Sequence, residues 1–174
     1  TIPFLFSYGF IKPKISTNFR SYNLNNETEN NLNLVTPIFS LDSGIYLDKT
    51  INLLNQNYKN TIEPRLFYVY IPYKDQSLFP NFDSGIADLN LQSLFYENQY
   101  FGQDRINDAN QLTASISSKF FDDNGKERFS AIIAQRFYLE ERRVLGSERL
   151  DTKKTNSDIF MGVSMKLANS LSLA

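Results

Sequence analysis

The sequence predicts an all-β fold: an antiparallel transmembrane β-barrel segment, about six to seven strands of a larger outer-membrane barrel. Three observations carry that expectation. Apolar and polar residues alternate with period two in segment after segment, whereas a helix would smear both sets around its circumference. Short turns alternate with long polar loops, as they do between the two ends of outer-membrane barrels. The chain is also rich in aromatics, with ten Tyr and fifteen Phe, and several fall at strand ends, where a half-wet membrane interface suits them.

Taken in order, residues 1–6 read as the tail of a strand running inward, and Ser7-Tyr8-Gly9 as a short turn. In residues 10–24, expected to run outward, Lys12, Lys14, Ser16, Asn18 and Arg20 alternate with Ile11, Pro13, Ile15, Thr17 and Phe19. A polar loop at 25–31 follows. Residues 32–48 return inward, with Val35, Phe39, Leu41, Ile45 and Leu47 set against Ser40, Asp42 and Asp48. Residues 50–59 are the exception, a longish turn where the pattern calls for a short one. Residues 61–73 run outward and 108–121 inward, the latter with Leu112, Ala114, Ile116 and Phe120 opposite Thr113, Ser115, Ser117 and Lys119. Asp122-Asp123-Asn124-Gly125-Lys126 is a short turn whose Asn and Gly tolerate positive φ. Residues 128–140 run outward, 142–157 form a polar loop, and 158–171 run inward. In that last strand Ile159, Met161, Val163, Met165 and Leu167 oppose Gly162, Ser164 and Lys166.

Six strands and a stub cannot close a barrel, which begins at about eight. The sequence starts at Thr1 without a targeting segment, and its last residues, LANSLSLA, read as a strand cut off. An internal piece of a longer barrel is therefore expected, with residues 1–174 part of a single barrel domain. Pro13, Pro37 and Pro64 lie inside expected strands and are taken to mark bulges or strand entries. A locally weakened ladder is the sharper alternative. Tyr68, Tyr70 and Tyr73, with Phe137 and Tyr138, are expected to form an aromatic girdle, ahead of a sugar-stacking platform. Lys12, Lys14, Arg20, Arg65, Lys119 and Lys166, mixed with Asp42, Asp48 and Glu63, are expected to face water in the lumen.

Residues 61–111 hold the most distinctive wording: TIEPRLFYVYIPYKDQS, then PNFDSG and LFYEN, then FGQDRINDANQ. A loop as long as 74–107 inside a compact domain is uncommon and usually functional. In this order the words closely resemble the C-terminal barrel region of LptD, the LPS-assembly protein family of the Gram-negative outer membrane. The likeness weakens towards both ends of the chain. Its site residues are Asp75, Gln76, Phe82, Asp83, Gly102, Asp104, Arg105, Asp108 and Asn110, and Asp104, Arg105 and Asp108 are expected to form a local ion-pair and turn network. The resemblance implies a loop that seals the pore or touches an enclosed LptE-like lipoprotein plug. It also implies an integral outer-membrane location among membrane lipids, lipopolysaccharide as the transported molecule, and periplasmic bridge proteins reached through an N-terminal domain. A general porin or receptor barrel is the alternative, and a soluble β-sandwich module a third.

Several chemistries are excluded. With no His and no Cys, there is no Ser-His-Asp or Cys-His nucleophile and no His/Cys metal site. The seven glycines are scattered singly, so no phosphate-cradling loop exists. A formal net charge of −1 offers nucleic acid no attraction. Adjacent carboxylates at Glu140-Glu141 and Asp122-Asp123 would point to opposite faces of a strand and read as solvated ends. No enzyme and no cofactor are expected.

Overall fold

The computed structural model describes residues 2–23, 31–53, 56–144, 154–168 and 171–173. The alternation becomes long strands: β1 (Phe4–Phe6), β2 (Gly9–Asn23), β3 (Asn31–Ile45), β4 (Leu47–Leu53) and β5 (Gln56–Ile71). After two short strands, β6 (Gly85–Ile86) and β7 (Tyr100–Phe101), come β8 (Ala109–Phe121), β9 (Glu127–Tyr138), β10 (Phe160–Ala168) and β11 (Leu171–Leu173). One antiparallel sheet runs in the order β1, β2, β3, β5, β8, β9, β10, β11, with β4 also on β5; β6 and β7 form a separate ribbon.

Two boundaries differ from the sequence expectation. Residues 50–59 are not a long turn, because β4 and β5 pair from Leu47↔Ile62 to Leu53↔Gln56. The connection is therefore short, as the alternation of loop lengths requires. The alternation is faint here because Asn52↔Asn57 and Thr50↔Lys59 fill one face and Lys49↔Asn60 interrupts the apolar row of Leu47↔Ile62 and Ile51↔Tyr58 on the other. At the far end, β10 stops at Ala168 and β11 pairs back onto it, with Met165↔Leu173. The final segment begins a new strand instead of continuing β10.

The prolines cause no bulge. Register is unshifted through Pro13↔Leu41, Pro37↔Thr17 and Pro64↔Ile116; the shifts lie between Phe120 and Phe121 and between Lys166 and Ala168. In an antiparallel ladder a residue's N–H and C=O point to the same neighbour. The Pro13 carbonyl accepts from Ile2 N at 3.3 Å, so its missing donor faces the β1 side and the β2–β3 ladder loses nothing. Carried through the registers, the same alternation turns Pro37 toward β5, beyond the ladder's end at Phe39↔Tyr70. It turns Pro64 toward Ile45. There the β3–β5 ladder stops at Gly44↔Arg65 and resumes as β4 at Leu47↔Ile62. β3 and β4 are thus one strand interrupted by an absent donor.

The sheet has two unlike faces. On one lie Ile11, Ile15, Phe19, Val35, Leu66, Ile116, Ile133, Met161 and Val163, with Ile15 77% and Met161 70% exposed. Among the described residues none covers that apolar area as a soluble core would, a pattern compatible with a lipid-facing sheet. The other face carries Lys14, Arg20, Asp42, Glu63, Arg65, Lys119 and Arg136, and the chain from Pro72 to Asp108 folds over it. Between this loop and the sheet lies a small core of Phe67, Val69, Ile71, Ile106 and Ala109, flanked by Ile38 and Phe95.

Candidate functional site: a loop folded over the polar face

Gln76 joins the two ends of the loop. Buried, it accepts from Arg20 Nη2 (2.8 Å) and donates to Ile106 O (2.7 Å), and Ile106 N bonds back to its Oε1 (3.3 Å). Arg20 also donates to the Asp104 carbonyl. Arg105 donates to the carbonyls of Gln76 and of Phe79, the latter at 3.0 Å.

Asp104 organises the outer part. Its carboxylate accepts from the Tyr22 hydroxyl and from the backbone N–H groups of Phe82 and Asp83. These donors, the Tyr22 hydroxyl foremost, outweigh burial and lower its pKa to about 2. Ser84 Oγ accepts from Asp104 N (2.7 Å) and Arg105 N (3.0 Å), and Asp83 Oδ1 accepts from Gln103 N (3.0 Å). Gly102 sits at φ +84°, where a Cβ would run into the Asp83 carbonyl oxygen. Only glycine fits.

The nine residues singled out from the sequence do not all meet. Gln76, Phe82, Asp83, Gly102, Asp104 and Arg105 form one connected group. Phe82 belongs through its backbone N–H and a ring contact with Tyr22 (centroids 6.4 Å), although the residue is 76% exposed. Asp75 is peripheral, accepting from Ser77 N at 2.9 Å, which lowers its pKa. Asp108 accepts from Arg143 N (2.8 Å) and Val144 N (2.9 Å), pinning the chain beyond β9. Asn110 lies on β8 with its side chain on the apolar face, bonded to Tyr68 and Glu140 at 2.9 Å each. Among the described residues the expected ion-pair network of Asp104, Arg105 and Asp108 does not form: all three charges terminate backbone groups, and Asp104 also takes the Tyr22 hydroxyl. A loop short of regular hydrogen bonds needs its amides and carbonyls satisfied, and charged side chains do that most strongly.

The expected girdle is divided. Tyr68, Tyr70 and Phe137 share the apolar face, but Tyr138 lies on the polar face under the Arg142 guanidinium (3.8 Å), and Tyr73 stacks with Arg143 (4.3 Å).

Other anchors went unread in the sequence. Glu97 pairs with Lys14 on β2 (2.7 Å) and accepts from Ser40 on β3. Arg65 lies over the Phe95 ring at 4.1 Å. Thr113 Oγ1 and Arg136 Nη2 both donate to Leu94 O, at 2.8 and 2.6 Å. One signal was available: Leu66 to Ile71 is an unbroken apolar run, the mark of a strand covered on both faces. Below the loop a hollow of about 800 Å³ is lined by Lys12, Glu63, Arg65, Ser117, Lys119 and Ser164, among others. Its charges largely cancel in pairs, Arg65–Asp42 and Lys119–Glu63, each at 2.8 Å. Among the described residues no cluster is placed to hold a metal ion.

An all-β antiparallel sheet with a bare apolar face, and its own loop packed on the polar one, defines a class: two-faced antiparallel β proteins, with which a fragment of a β-barrel is consistent. Similarity to known proteins narrows the class. A family model described as LPS transport system D, LptD, matches residues 1–174, and the chain belongs to that family. Relatives named LPS-assembly protein LptD include one from Nitrosomonas europaea, 42% identical over 83% of this chain and 21% of the relative. Those from Paraburkholderia xenovorans and Pseudomonas putida are 39% and 35% identical, over 91% and 90% of this chain and 21% and 19% of the relatives. The chain thus spans about a fifth of their length.

Proposed function

We propose that this chain is a sector of an outer-membrane barrel that assembles lipopolysaccharide into the outer leaflet, and that its loop seals the lumen. The full protein is a translocon, not an enzyme. It receives lipopolysaccharide from periplasmic bridge proteins through a domain outside this chain. The acyl portion leaves sideways through a seam, and the sugar passes through the hydrated interior. Family membership supports the substrate, while the inward fold of the loop supports the seal and carries this reading. A loop tied to β2 through Lys14 and Arg20, and to β9 through Arg136, spans the polar face instead of standing away from it. Its outer apolar groups, Leu78, Phe82 and Phe101, are exposed and fit an enclosed lipoprotein of the LptE kind.

Deletion of residues 75–104 from the full-length protein tests the seal. The expected result is an outer membrane permeable to large antibiotics at normal barrel levels. Unchanged permeability at those levels would sink the sealing role. A high single-channel conductance in the intact protein would favour a general porin instead.

A further inference from the structure

The most deeply buried anchor of the loop lies far from the family wording. The short 3-10 turn Ser93–Phe95 rests on β8 and β9, where Arg136 Nη2 donates to Ser93 O (2.9 Å) as well as to Leu94 O. Arg136 is 0% exposed and directs its charge at two loop carbonyls. Charged donors to carbonyls are among the stronger hydrogen bonds, and the planar fork of arginine can hold two acceptors at once. Farther across the sheet, Gly162 on β10 leaves a gap that Leu91 fills. A Cβ there would stand 2.8 Å from Leu91 Cδ1 and 3.2 Å from Ile132 Cγ2. The inner turn is therefore seated on strands that follow it in the chain.

We propose that Arg136 and Gly162 are positioning residues, a clamp and a socket that hold residues 88–97 on the inner wall as a fixed brace. The loop is then not a lid that swings with each transport event. Because β9 and β10 come after the loop, the brace seats only when both have joined the sheet, so the sector locks from its C-terminal side. This rests on the barrel reading above but not on the identity of the transported molecule.

Ser93 is buried, so Ser93→Cys in the full-length protein reports seating in intact cells, read with a membrane-impermeant maleimide. The expected result is protection in the otherwise unaltered protein and labelling at least about tenfold faster with Arg136→Met or Gly162→Val. Adding Leu91→Ala to Gly162→Val should restore protection, because the smaller side chain vacates the socket; adding it to Arg136→Met should not. A general loss of stability would not show that selectivity. Rapid labelling of the unaltered loop, or unchanged protection in both variants at normal barrel levels, overturns the proposal. If Arg136→Met does not accumulate, Arg136→Lys and Leu91→Ala are read the same way, faster labelling supporting the brace and unchanged labelling overturning it. The label measures seating alone, so the brace stands or falls on it even where the permeability test of the seal fails.

Discussion

Asp104→Ala is the sharpest test of how the outer part of the loop is held. The carboxylate is the common acceptor for the Tyr22 hydroxyl and the Phe82 and Asp83 amides. Each amide stripped of its acceptor costs about 1–3 kcal/mol where water cannot replace it. Phe82 and Asp83 lie near the loop surface, so solvent recovers part of that. About 3 kcal/mol for the set is a reasonable total, which is roughly a hundredfold in the local opening equilibrium. Asn keeps one acceptor oxygen and should lose about half as much. Hydrogen exchange of the amides at Phe82 and Asp83 in the full-length protein measures this directly. The expectation is exchange faster by about two orders of magnitude in Asp104→Ala, with an intermediate value for Asp104→Asn. Equal exchange in all three proteins would show that the β6–β7 ribbon holds these amides without Asp104, and the role given to that carboxylate would fail.

Acid should act at the same place. The Asp104 pKa is depressed from 3.8 to about 2, so its contribution is fully present above pH 3.8 and is lost as pH falls through about 2. Protection at Phe82 and Asp83 should persist to pH 4 and then decline, and a decline already complete at pH 5 would contradict the assignment. Gly102→Ala places a Cβ against Asp83 O at positive φ and should destabilise the β6–β7 ribbon by about 1–3 kcal/mol; protease cleavage between residues 78 and 90, unchanged from the parent, would count against it. Ile15→Arg on the apolar face should cost about 2–4 kcal/mol of stability in lipid at mid-depth, and Ser117→Arg on the polar face far less. Equal losses in the two, read by heat-modified gel mobility, would refute the assignment of the faces.

The strands were legible because their two faces meet different surroundings, and the alternation records that difference. It fades where the surroundings become alike. Toward the β4–β5 tip the apolar row thins to Ile51↔Tyr58, interrupted by Lys49↔Asn60, while Asn52 and Asn57 pair on the other face, so little betrays a strand. In β5 the reverse holds: Phe67, Val69 and Ile71 lie on the otherwise polar face because the loop covers them. The loop's outer group was legible as wording, since Asp104, Gly102 and Gln76 sit among unusual neighbours. Its inner anchors were not. Glu97, Thr113 and Arg136 are ordinary residues whose partners lie far away in the chain, and nothing local announces them.

This division has a physical reason. A polar side chain on a barrel's inner face needs no partner, because water is available there. Thr113 and Arg136 nevertheless bond the same Leu94 carbonyl and are both almost wholly buried. Their burial is created by the loop, and the loop's carbonyl is satisfied by them, so neither side is stable in this form alone. A sheet sector without the loop would leave the Phe67, Val69 and Ile71 cluster bare on a water-facing wall, at about 25 cal/mol for each Å² exposed. A loop without the sheet would keep the bonds of Asp104 to the Phe82 and Asp83 amides and of Gln76 to Ile106, but lose Tyr22, Arg20 and every inner contact. The two must therefore form together across strands that are distant in the chain, and that mutual dependence fits a fixed seal better than a moving gate.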